Sequence, residues 1–87
     1  MYIFWNFTRI MKDSEKNYLF ELDKVSKRFR ELRIEAGYTS QETFAYDKDL
    51  NRVQYWRVEK GSNITLTTFF KLLDVHKISP EEFFKDF

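Results

Sequence analysis

Two helix-start signals lie only twelve residues apart, at Thr39 and Asn51, and a helix stop follows at Gly61. That spacing leaves room for two short helices and a tight turn. Thr39 with Glu42 three residues later forms a capping box. Asn51 is a good N-cap, and Leu50 before it is placed to staple onto Tyr55. The first helix turns Phe44 and Ala45 inward, because Asp47, Lys48 and Asp49 are too polar for a buried end. The second runs from Arg52 to Lys60, and the turn between the two centres on Asp49.

Helices flank this pair on both sides. Leu19, Leu22, Val25, Phe29, Leu32 and Ala36 recur by threes and fours, the spacing of one helix face, up to Gly37. Asp13 or Ser14 can cap this helix early, or residues 18–23 can be irregular. Thr65 opens LTTFFKLLDVHK, with Leu66, Phe69, Phe70, Leu73 and His76 at helical spacing. Ser79-Pro80-Glu81-Glu82 then combines an N-cap, Pro at the first helical position and Glu at the third. The reading is all-α: five helices, with residues 1–18 as an N-terminal extension and 19–87 as the folded domain.

Composition narrows the chemistry. The chain has 87 residues with no Cys, two Gly, one Pro, ten Phe and five Tyr, so aromatic burial must build the core without disulfides. One His and no Cys cannot assemble the common zinc sites, and there is no Gly-rich phosphate loop. No catalytic residue, metal or cofactor is expected, so the chain does not read as an enzyme. The absence of Cys suits a reducing cytoplasm, where the protein is expected to reside. The opening MYIFWNF lacks the basic start, length and cleavage site of a signal peptide, and is too short to span a membrane. Two readings stand for it: an arm packed on the domain or on a second subunit, or a stretch upstream of a start at Met11. The extension can be disordered, helical or in contact with a second copy.

Two short helices joined by a tight turn and flanked by others form a helix-turn-helix, whose second helix is the one that enters the major groove. With Tyr55 inward, Val58 and Glu59 fall near the core while Val53, Arg57 and Lys60 fall opposite. The outward face is basic. From Lys24 to Lys60 there are nine Lys or Arg against six Asp or Glu, a net of +3, while the rest of the chain carries six against eight, a net of −2. The half expected to face DNA is therefore the basic one, although the net charge of +1 is modest and implies weak affinity from one domain.

The sequence resembles the Cro/repressor-type (XRE-like) helix-turn-helix DNA-binding proteins from about Val25 to Phe84. VSKRFRELRIEAGY is similar to the family's first helix, QETFA to its second, NRVQYWRVEKG to its third and ITLTTFFKLLDVHKISPEEFF to its closing pair. It departs from the pattern by one extra residue between Gly37 and Gln41, by Lys48 where Leu is usual, and by Asp49 at the usual turn Gly. The resemblance implies a compact lambda-repressor-like fold and a sequence-specific transcriptional regulator acting as a homodimer on double-stranded DNA. Arg52, Val53 and Arg57 match base-reading positions; Arg can pair bidentately with guanine and Val can touch a thymine methyl. Gln54 suits adenine or a phosphate. Ser40 and Gln41, at the start of the second helix, and Lys60, Ser62 and Asn63, after the third, are the expected phosphate contacts.

Other residues read more simply as structural. Arg33 and Glu59 match a partly buried ion pair between the first and third helices, His76 reads as a core histidine, and Trp56 is expected to pack on Tyr46. Phe83 reads as core and Phe87 as an interface candidate. The rival to DNA binding is a protein-interaction module, such as an antitoxin-like partner of a toxin, with or without DNA binding. Neither reading involves a membrane.

Overall fold

The computed structural model describes the backbone of residues 2–87 and the side chains of residues 18–87. Five helices follow in order: α1 (Tyr2–Glu35), α2 (Gln41–Asp47), α3 (Arg52–Lys60), α4 (Leu66–His76) and α5 (Pro80–Phe83), with no strand among the described residues. None of the described helices is long and apolar enough to cross a membrane.

Helix α1 starts at Tyr2 and continues without a break past Asp13, Ser14 and residue 18, so neither cap candidate opens it. The packing of the MYIFWNF side chains lies outside the described residues. At the other end Gly37 adopts φ 95°, and Tyr38 donates its N–H back to the Arg33 carbonyl at 3.1 Å, closing the helix. The α1 stripe is buried only in its middle: Phe29 and Leu32 are in the core, Leu22 and Val25 are half-buried, and Leu19 and Ala36 are exposed.

Each of the four later helices starts on a side-chain cap. For α2 the cap is Ser40 rather than Thr39: Ser40 is extended, and its hydroxyl accepts from the Thr43 N–H at 3.2 Å. The expected capping box does not form, because the third helical position counted from Ser40 is Thr43 and not Glu42. Asn51, Thr65 and Ser79 cap α3, α4 and α5 by accepting from Gln54, Thr68 and Glu82.

The core is mostly aromatic. Phe29 of α1 meets Phe69 edge-on at 5.9 Å and Phe83 at 4.8 Å, and Phe44 meets Tyr55 at 5.0 Å, with Leu32, Ala45, Val58, Leu72 and Leu73 filling between them. In α4 the inward residues are Phe69, Leu72 and Leu73, whereas Leu66 is 72% and Phe70 51% exposed. The apolar side of α4 is broader than the stripe it buries, with only Thr67, Lys71 and Asp74 opposite, so spacing alone does not decide which of the apolar residues pack. His76 is half-buried, stacked on Phe44 at 5.3 Å between ring centroids and on Phe29 at 6.4 Å. Its Nε2 is buried without a hydrogen-bond partner. Burial, aided by Lys48 and Arg28, holds its pKa below the ordinary imidazole value.

Candidate nucleic-acid interface

Helix α3 is presented by the turn before it. Lys48, Asp49 and Leu50 donate their N–H groups to the carbonyls of Phe44, Tyr46 and Ala45 at 3.0, 3.2 and 2.8 Å, winding α2 off in one tight curl. Asp49 sits at φ 55°, the left-handed conformation that Asp tolerates better than most residues. Lys48, at the usual Leu position, caps α2 and stays in solvent, with its ammonium 5.8 Å from the Tyr38 ring centroid. Asn51 Oδ1 then accepts the Gln54 N–H at 2.8 Å, and α3 ends at Gly61 with φ 96°.

The inner side of α3 is fixed by directional bonds. Arg33 Nε donates to Glu59 Oε2 at 2.7 Å and Arg33 Nη2 to Glu59 Oε1 at 3.1 Å, a bidentate pair with both side chains almost wholly buried. The third guanidinium nitrogen, Nη1, donates to the Tyr38 carbonyl at 2.8 Å. Gln41 Nε2 adds a bond to Glu59 Oε1 at 2.9 Å, so one carboxylate ties α1, α2 and α3 together. Burial pushes the Glu59 pKa up, but the hydrogen bonds from Arg33 first, then the nearby Tyr55 hydroxyl and the bond from Gln41, outweigh it and hold the carboxyl below its ordinary value. The same bonding raises the Arg33 pKa. Burial also pushes the Tyr55 hydroxyl up; it lies beside this pair without a well-formed hydrogen bond.

The outer side of α3 faces away from the core. Arg52, Val53, Gln54, Trp56, Arg57 and Lys60 are all exposed, and Ser62 and Asn63 continue the surface into the next loop. Ser40 lies at the α2 start with its hydroxyl oxygen engaged by the cap. Gln41 is only partly exposed, and its amide spends one bond on Glu59, so this residue braces the interface from within.

Three contacts on this surface were not legible as such. Arg52 Nη1 lies 3.4 Å from Glu42 Oε1, an exposed pair worth at most about 1 kcal/mol. The pair spans the turn, so helical spacing gives no hint of it. Trp56 does not pack on Tyr46, which is 85% exposed; the indole is itself 47% exposed and carries the Lys60 ammonium 4.4 Å from its centroid. Trp56 and Lys60 are four residues apart, a signal the sequence did contain. The Gln41 bond to Glu59 had no signal, because it joins two helices end to side.

A second exposed surface is apolar. Leu22, Val25, Ile64, Leu66, Phe69, Phe70, Pro80 and Phe84 line a groove formed by α1, α4 and α5. Phe84 stacks on Phe69 at 5.7 Å and meets Phe87 edge-on at 5.0 Å, carrying the aromatic layer outward from the core. No group of three or more His, Cys, Asp or Glu among the described residues is arranged to hold a metal ion.

No protein-family profile, curated protein or solved structure matches this chain.

Proposed function

We propose that this protein is a sequence-specific binder of double-stranded DNA with a lambda-repressor-like helix-turn-helix, acting in the cytoplasm as a transcriptional regulator without catalysis. The observation that carries this reading is the two-sided character of α3. Its inner side is held by a buried bidentate ion pair, and its outer side offers Arg52, Val53, Gln54, Arg57 and Lys60 to solvent on a helix two and a half turns long. In this reading Arg52 leaves Glu42 for a guanine edge, Val53 meets a thymine methyl and Arg57 reads a second base. Lys60, Ser62, Asn63 and the α2 start at Ser40 hold phosphates and fix register. Gln41 reaches a phosphate only with the amide hydrogen that Glu59 leaves free.

Selection of duplexes from a random pool tests this directly. Enrichment of one sequence is expected, with binding that weakens steeply as salt rises. Arg57→Ala is expected to cost about 1 to 3 kcal/mol and to relax preference at one base pair. If selected duplex binds no better than bulk DNA, and Arg57→Ala changes nothing, α3 is not a reading helix.

The apolar groove supports a second reading, in which this surface holds a protein: a second copy of the chain, or a toxin to which this chain is the antitoxin-like partner. A homodimer would bring two α3 helices to one operator. Mass in solution at micromolar concentration, with and without Phe70→Ser, separates a dimer from a monomer.

A further inference from the structure

We infer that Trp56 is a specificity-determining residue that, with Val53, reads the 5-methyl group of a thymine; this rests on the DNA-binding reading above. Val53 and Trp56 lie three residues apart on α3, which makes them neighbours on one helix face. Val53 is 53% and Trp56 47% exposed, so two large apolar side chains face solvent in the middle of a polar surface. Together with Gln41, Glu42 and Arg52 they line an open cleft of about 310 Å³ between α3 and the first turn of α2. Nothing in the core needs them there.

The surroundings identify the occupant. Cations border the apolar wall: Arg52, beside Glu42, lines the cleft, and the Lys60 ammonium sits 4.4 Å from the indole centroid. A purely apolar partner would leave these charges desolvated, whereas the major groove supplies phosphates for the cations and a methyl group for the wall. Among the four ordinary bases only thymine displays a methyl there.

The test replaces each thymine of the selected duplex, one at a time, with uracil, which removes the methyl and leaves every hydrogen bond intact. At one position the wild-type protein is expected to lose about fourfold in affinity, the factor that burying one methyl group is worth. Trp56→Ala is expected to lose most of the thymine preference at that position, leaving only the share that Val53 supplies, and Trp56→Phe to keep more of it. Lys60→Ala is expected to weaken both duplexes alike, as loss of a phosphate contact does. Thermal melting of Trp56→Ala, unchanged from wild type, excludes unfolding as the cause; if it melts early, Trp56→Phe alone carries the comparison. Selected duplex that binds tightly yet shows no uracil effect at any thymine overturns the inference and leaves the DNA-binding reading standing. A thymine preference that is undiminished in Trp56→Ala overturns it equally. Failure of every duplex to bind overturns both.

Discussion

Helix α3 and helix α4 are both anchored on α1-centred cores, but by different forces. Helix α3 is held through the Glu59 carboxylate, which receives three hydrogen bonds from two other helices. Helix α4 is held by ring contacts, Phe69 and His76 against Phe29, and Phe69 against Phe83, with no hydrogen bond from its side chains to another helix among the described residues. Ring packing sets how far apart two helices lie while tolerating some rotation. A bidentate ion pair also fixes rotation about the helix axis, because both N–H vectors must point at their oxygens. Rotational precision is therefore concentrated in the helix whose outer face presents Arg52, Arg57 and Lys60.

The largest expected effect breaks this difference at its hub. Glu59→Gln leaves the Arg33 guanidinium buried without its counter-charge and is expected to cost about 3 to 5 kcal/mol of stability, measured by denaturant unfolding. Asn51→Ala is a milder test on the same side. It removes the α3 cap and is expected to cost about 1 kcal/mol, read as a lower melting temperature while the core stays intact.

The smallest effect concerns the other side and sharpens the contrast through pH. His76 faces Phe29 and Phe44, with Lys48, Arg28, Glu35 and Glu59 as the charges acting on it. Its folded pKa is depressed, so between that value and the ordinary 6.5 the unfolded chain binds more proton than the folded one. The His76 contribution to stability is thus complete above about pH 6.5 and is lost as pH falls through and below that value. His76→Leu should flatten unfolding curves measured from pH 7 to 5, and should change stability at pH 7 by at most about 1 kcal/mol, because it removes an unpaired polar atom along with a stacked ring. Glu59 is also depressed, so its contribution disappears only at lower pH, as the carboxyl protonates.

What was legible in the sequence follows the same division. Caps and stops are local, so Asn51, Thr65, Ser79, Gly37 and Gly61 could be placed from neighbouring residues alone. The α2 cap slipped from Thr39 to Ser40 because two adjacent hydroxyl residues offer equivalent chemistry, and only the backbone conformation decides which one turns. Helix α4 was misjudged for another reason. With Leu66, Phe69, Phe70, Leu72, Leu73 and Val75 all apolar, its pattern carries too little contrast to say that Leu72 goes inward while Leu66 and Phe70 do not. At the candidate interface the outward positions of Arg52, Val53, Arg57 and Lys60 follow from the helix period. The bond from Gln41 to Glu59 and the ion pair of Arg52 with Glu42 needed three-dimensional knowledge, since each joins residues on different helices.

The exposure of the outer α3 side chains has one more consequence. Tyr55 and Val58 carry the packing of this helix and Glu59 its orientation, while Arg52, Val53, Gln54, Trp56, Arg57 and Lys60 contribute nothing to the core. In the DNA-binding reading proposed above, holding and reading are thus done by separate residues. Substitutions at those six outward positions are therefore nearly neutral for folding, and a lineage carrying this scaffold can be re-addressed to a new target while its architecture stays the same.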